Sequence, residues 1–198
     1  LWMSDDEGET WYDAGGTIAG IHANVVELSD GRLMALGRGD DIDGRMPMSL
    51  SRDRGRTWTY TASPFQPIHG GQRLVLFRLQ EGPLLFVSFA NDPLEITDAT
   101  GTRRSITGLY CAVSFDEGAT WANTRVVSDD GLPRPVEAFD GRPNVLSASQ
   151  SEIAGYMTVC QADNGLIHLI SSRNHYAFNL AWLTEPPPGE QHVTQGKS

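Results

Sequence analysis

One eight-residue pattern occurs three times and limits the fold more than any other feature of the chain. Ser-x-Asp-x-Gly-x-Thr-Trp is found at Ser4–Trp11, at Ser51–Trp58 and at Ser114–Trp121. Five of its eight positions are fixed each time, far beyond chance. The physics of the pattern is that of a β-hairpin. The Asp side chain can accept bonds from nearby backbone N–H groups and so hold a tight turn. The Gly supplies a backbone angle other residues reach poorly. The Thr opens the return strand, and the Trp offers a large ring for burial against the core. The starts lie about 47 and 63 residues apart, a spacing suited to one four-stranded unit per repeat plus loops. The pattern therefore speaks for architecture and says little about chemistry.

The intervening sequence reads as strands. Asn24–Leu28 and Arg32–Leu36 flank a Ser29-Asp30-Gly31 turn, with Asp-Gly at the tip of a hairpin. Arg73–Leu79 and Leu84–Phe89 form a second hairpin around Gln80-Glu81-Gly82-Pro83, and Gly155–Cys160 and Leu166–Ile170 a third around Asp163-Asn164-Gly165. Apolar residues alternate or run continuously over about 6 positions, with no sustained 3.6-residue period, so helix content is expected to be low. An all-β fold of β-propeller type is expected. Two complete blades are expected, near residues 22–63 and 70–128, with a two-strand remnant before them and an incomplete blade from about Asn144 to Thr184. That makes about three blades over residues 1–184, too few to close a ring. Residues 185–198, which begin Glu185-Pro186-Pro187-Pro188-Gly189, read as a Pro-rich flexible tail.

Composition excludes some functions. The formal net charge of -10 argues against a nucleic-acid partner, which needs a basic footprint to neutralise phosphates. It leaves room for a locally basic pocket and an acidic ligand. Of 15 basic residues only Lys197 is lysine, and guanidinium is the better carboxylate clamp. No apolar run approaches the ~20 residues of a membrane helix, so no membrane partner is expected. The first residues, Leu1-Trp2-Met3-Ser4-Asp5-Asp6, do not read as a signal peptide. Cys111 and Cys160 each sit in an apolar run and are expected to be buried free thiols, with a single bridge as the alternative. The five histidines have no metal-ligand spacing.

The three repeats are Asp boxes. Together with Val25-Val26-Glu27-Leu28-Ser29-Asp30-Gly31-Arg32-Leu33 they resemble the sialidase (neuraminidase) superfamily of six-bladed propellers. The resemblance runs to about Leu183 and corresponds to that family's C-terminal half. It implies glycoside hydrolysis at an acidic or complex saccharide, with no cofactor and no metal, and slightly favours a secreted or periplasmic location. In the family three arginines clamp a sugar carboxylate, a Tyr paired with a Glu is the nucleophile, and an Asp is the acid/base, an exception to the two-carboxylate scheme. Arg38, with Arg45 as a nearby substitute, is similar in place to the second clamp arginine. Arg104, or Arg103 beside it, is similar to the third, and Tyr156 to the nucleophile. Where the partner Glu is expected, before Val25, Ile21-His22-Ala23-Asn24 offers His22 as the base instead. The first clamp arginine and the acid/base Asp belong to the half of the family that is not matched.

His69-Gly70-Gly71-Gln72-Arg73 and Ile167–Tyr176 look like stretches of the wider sialidase-like propellers, so Arg73, Arg173 and His175 join the candidate saccharide contacts. Plainer readings stand beside these: Arg73 as a salt bridge between blades, His175 and Tyr176 as packed residues, His22 and His69 as turn residues. Two functions follow, a glycoside hydrolase or half of one, and a non-catalytic carbohydrate- or protein-binding propeller. A homodimer of two three-blade chains would complete a six-bladed ring.

Overall fold

A computed structural model describes residues 1–97, 101–128 and 132–185. The segment read as a flexible tail falls, apart from Glu185, outside the described residues. The chain is all-β and propeller-like. β1 (Trp2–Met3) and β2 (Tyr12–Asp13) form a short hairpin. β3 (Ile21–Glu27), β4 (Leu33–Arg38), β5 (Pro47–Ser51) and β6 (Thr59–Ala62) make one four-stranded antiparallel meander. β7 (Val75–Arg78), β8 (Leu84–Thr97), β9 (Arg103–Ser114) and β10 (Ala122–Val126) make a second. Among the described residues β11 (Arg134–Glu137) pairs only with β12 (Pro143–Leu146), and β13 (Met157–Gln161), β14 (Ile167–Ser171) and β15 (His175–Phe178) form a three-stranded sheet followed by the short helix α1 (Leu180–Thr184). Asn144–Leu146, which reads as the opening of the last sheet, is thus held in a separate hairpin by β11.

The turns are built as the residues dictate. At the β3–β4 tip Gly31 takes φ 82° and donates to Leu28 O, while the Asp30 carboxylate accepts from Arg32 N. All three Asp boxes close identically. The Ser hydroxyl accepts from the Gly amide at 2.7–2.8 Å, and the Asp carboxylate takes the Thr amide at 2.8–2.9 Å and the Thr hydroxyl at 2.5–2.6 Å. Those Thr bonds hold the Asp6, Asp53 and Asp116 carboxyls below their ordinary range, Asp53 at about 2. The residue before each Gly (Glu7, Arg54, Glu117) also has positive φ, near 58°.

Trp58 is buried, at 9% exposed, whereas Trp11 of the first box is 60% exposed. Trp58 packs with Leu33 and Ala35 of β4 and with Leu1, Met3 and Ile18 from the segment before β3. The main core lies in and beside the second meander, where Phe86 stacks on Phe65 at 3.6 Å and meets Trp121 and Tyr110 edge-on. Cys111 is buried there, but Cys160 is exposed, contrary to expectation, because it falls on the outward face of β13 opposite His168.

The first strand of each of the three larger sheets sits beside the next, β3 against β7 and β7 against β13. The Asn24 side chain accepts from Leu76 N across the β3–β7 seam at 3.1 Å. This is the arrangement of inner strands around a propeller axis. The register gives the sheets two distinct ends. Ile21 pairs with Arg38 at one, and Leu33 pairs with Ser51, the start of an Asp box, at the other. At the Asp-box end Glu117 accepts from Arg78 at 2.6 Å and from the Ser29 hydroxyl at 2.7 Å, tying the two meanders together. The Arg78 bond, more than any other contact, holds the Glu117 carboxyl down to about 2.

Candidate functional site

The end of the sheets opposite the Asp boxes gathers polar side chains where the inner strands begin. His22 is the second residue of β3, Arg73 precedes β7, and Tyr156 precedes β13; Arg38 closes β4 beside them. Local sequence explains each placement. A bulge interrupts the β3–β4 register between Ile21 and Asn24, and His22 within it adopts φ 51°. Histidine tolerates that region better than most residues, and bulges re-aim side chains at strand ends. Arg38 is fixed by close backbone crossing. A Cβ on Gly37 would sit 2.4 Å from Ala19 O, and one on Gly20 2.8 Å from Arg38 O, so only glycine fits at either position.

Arg38 is buried, at 6% exposed. Its Nη1 donates to His69 O at 2.6 Å and its Nη2 to the Tyr156 hydroxyl at 3.1 Å, and its guanidinium carbon lies 5.5 Å from the Tyr156 ring centre. Tyr156 is 43% exposed. The exposed His22 ring meets it edge-on at 5.9 Å. The backbone beneath is tied down on both sides. Gly155 donates to Gly71 O and accepts from Arg73 N, and the Ser172 hydroxyl accepts from Tyr156 N at 2.9 Å. Arg73 lines a groove of about 220 Å³ with Asn24, Phe77 and Thr158, between the three inner strands. Its Nε is buried with no hydrogen-bond partner among the described residues. The Arg73 backbone and the Arg38 guanidinium thus both meet the Gly155-Tyr156 segment.

The other candidates fall elsewhere. Arg104 lies on the long β8–β9 hairpin opposite Ile96 and donates to Ala148 O at 3.1 Å. Arg173 turns to Asp140, with Nε 3.5 Å from the carboxylate. His175 stacks on His168, with Nε2 3.0 Å from the latter's Nδ1. The cluster therefore unites His22, Arg38, Arg73 and Tyr156, while the described contacts of Arg104, Arg173 and His175 lead away from it. Arg45, weighed as a substitute for Arg38, reaches Pro64 O.

Three contributors have no clear signal in the sequence. Gln72 is buried, accepts from His69 N at 3.2 Å and donates to Ile153 O at 2.9 Å, which holds the loop that holds Arg38. Ser172 secures the Tyr156 backbone. Glu152, fully buried, accepts from the Tyr176 hydroxyl at 3.1 Å, and burial pushes its carboxyl above the ordinary range despite opposing pull from Ser171, Tyr176 and Arg173. The adjacency of Gln72 to His69-Gly70-Gly71 is the one cue that pointed its way.

An all-β chain of Asp-box hairpins, with inner strands side by side and a polar cluster at their open end, defines a propeller-like protein of the sialidase/BNR superfamily. The family profile of the BNR repeat-like domain matches residues 1–169, and the chain belongs to that family. No curated protein matches it in sequence. Among solved structures it is similar to a protein of unknown function from Dyadobacter fermentans DSM 18053, with 16% identity and a TM-score of 0.50 over 89% of this chain and 43% of that one. It also aligns with MPT-4, a mannose phosphorylase from Leishmania mexicana in complex with phosphate ion, at 15% identity and a TM-score of 0.36, covering 82% of this chain and 52% of that one. The first likeness supports the fold alone. The chain spans less than half the length of the Dyadobacter protein.

Proposed function

We propose that the cluster at the inner-strand ends is a carbohydrate site that grips an acidic sugar by its carboxylate and cleaves the glycosidic bond beside it. The observation that carries this reading is the buried Arg38 guanidinium, pinned by His69 O and donating to a half-exposed Tyr156 hydroxyl. A planar fork held from behind offers a carboxylate two parallel bonds at little further cost in side-chain order. Arg73, with an unused buried Nε in the adjoining groove, supplies a second cation to the same ligand. Tyr156 and His22 then stand where the scissile bond would lie, one able to give a proton and the other to take one.

Titration calorimetry with N-acetylneuraminic acid, glucuronic acid and glucose tests the reading. Binding of an acidic sugar but not of glucose is expected. Arg38→Ala should weaken that binding roughly thirty-fold or more, the effect of deleting one partner of a buried charge pair. Unchanged affinity in Arg38→Ala would remove the clamp. Retained binding without cleavage of any glycoside would leave a lectin-like module in place of an enzyme.

A further inference from the structure

If Arg38 holds a sugar carboxylate, as proposed above, the three side chains around it also indicate how the bond breaks. Cleavage by displacement at the anomeric carbon is carried by a pair of carboxylates in the usual scheme, and in the family resembled here by a tyrosine nucleophile that still needs a carboxylate beside it. Among the described residues no carboxylate touches Tyr156, whose hydroxyl bonds to Arg38, or the His22 ring, which rests on Tyr156. Asp40, two residues past Arg38, is exposed and accepts from Gly20 N at 3.0 Å, with no hydrogen bond to Tyr156 or His22 among the described residues. The second route to a broken glycosidic bond needs no carboxylate. It requires a cation on the substrate's carboxylate, a base beside the carbon that bears it, and an acid at the oxygen on the next carbon. Arg38, His22 and Tyr156 are one of each.

We infer that this site cleaves uronate-containing polysaccharides by β-elimination. The uronate carboxylate pairs with Arg38, whose charge stabilises the negative charge that spreads into the carboxylate as the neighbouring C5–H bond breaks. Neutral His22 takes the C5 proton. The C5–H electrons become the C4=C5 double bond, the C4–O bond breaks, and its electrons leave on the departing sugar oxygen. The Tyr156 hydroxyl gives that oxygen its proton, and Arg38 Nη2, 3.1 Å away, stabilises the phenolate as it forms. Proton return from the His22 imidazolium to the Tyr156 phenolate, through water, restores the site, so no co-reactant is consumed. Substrate choice follows from the same chemistry. A hexuronate linked through O4 has a hydrogen on the carbon bearing its carboxylate, whereas the corresponding carbon of a sialoside has none.

The test is incubation of the chain with polygalacturonate, alginate, chondroitin and sialyllactose, read by ultraviolet absorbance, mass spectrometry and calorimetry in parallel. At least one polyuronate should bind and give oligosaccharides with an absorbing 4,5-unsaturated end, each lighter by one water than the hydrolytic fragment. Sialyllactose should remain intact. Tyr156→Phe and His22→Gln should each lower formation of the unsaturated product about 100-fold or more while binding stays within about threefold. Saturated fragments of hydrolytic mass would overturn elimination and leave the acidic-sugar reading standing. A polyuronate that binds without being cut would overturn elimination as well. Failure of every acidic probe to bind would overturn the reading on which it rests.

Discussion

Tyr156 and Tyr176 lie two strands apart in the same sheet, and their hydroxyls meet opposite charges. Tyr156, at the start of the inner strand, is half-exposed and accepts from the Arg38 guanidinium. Tyr176, on the outermost strand, donates to the buried Glu152 carboxyl at 3.1 Å. Burial, and then the nearby Glu152, push the Tyr176 hydroxyl well above the ordinary range of a phenol. A tyrosine–carboxylate pair of the kind the family resemblance implies for Tyr156 is present instead at Tyr176, which lines a separate cavity of about 270 Å³ with Asn174, His175 and Trp182. The lesson is that residue type and spacing do not settle a role. A phenol beside a cation can exchange its proton with a ligand, whereas one bonded to a fully buried carboxyl ties two chain segments together.

The comparison breaks most sharply under matched substitution. Tyr156→Phe is expected to reduce turnover of an acidic polysaccharide about 100-fold or more with no measurable change in melting temperature. Tyr176→Phe should do the reverse, keeping turnover and costing about 1–3 kcal/mol in urea unfolding, because Glu152 then loses a donor it cannot replace from water. If both variants lose activity and neither loses stability, the two tyrosines belong to one site and the distinction fails. A smaller effect sharpens the structural side. Glu152→Gln keeps the size and an acceptor for Tyr176, so it should cost less than about 1 kcal/mol near neutral pH, whereas Glu152→Ala should cost at least as much as Tyr176→Phe.

The architecture was legible because its signals are local. Each Asp box carries its own turn chemistry within eight residues, and the Ser29-Asp30-Gly31 and Asp163-Asn164-Gly165 tips declare their hairpins without help from the rest of the fold. The site was legible only in part. Arg38, His22 and Tyr156 stood out through the family resemblance, and Arg73 through likeness to the wider sialidase-like propellers, not through any local pattern of their own. Arg173 and His175 occupy similar strand-end positions, but their direction depends on Asp140 and His168, partners 33 and 7 residues away that no local pattern selects. Glu152 was invisible for a related reason. Its burial comes from chain segments crossing over it, including Leu109 N, which donates to Glu152 O, and a lone acidic residue in a polar stretch reads as surface. The Trp of each box shows the same limit, since Trp58 is covered in part by Leu1, Met3 and Ile18, 40 or more residues earlier in the chain, while Trp11 is exposed.

The two carboxyls most displaced from ordinary behaviour by burial and by pairing give opposite responses to pH, and these are the smallest of the expected effects. Glu152 is pushed up, so the folded chain binds its proton more tightly than the unfolded chain does. Its contribution to stability is complete below the ordinary carboxyl range, near 4.5, and is lost as pH rises from there through the raised value. Glu117 is held down to about 2 by Arg78 and Ser29, so its contribution is complete above about 4.5 and is lost as pH falls toward 2. Urea unfolding followed from pH 2 to pH 9 should separate them. Glu117→Gln should flatten the acid limb alone, and Glu152→Gln the limb above pH 4.5 alone. If Glu152→Gln leaves the upper limb unchanged, the Glu152–Tyr176 pair is not the proton-holding element that sets Tyr176 apart from Tyr156.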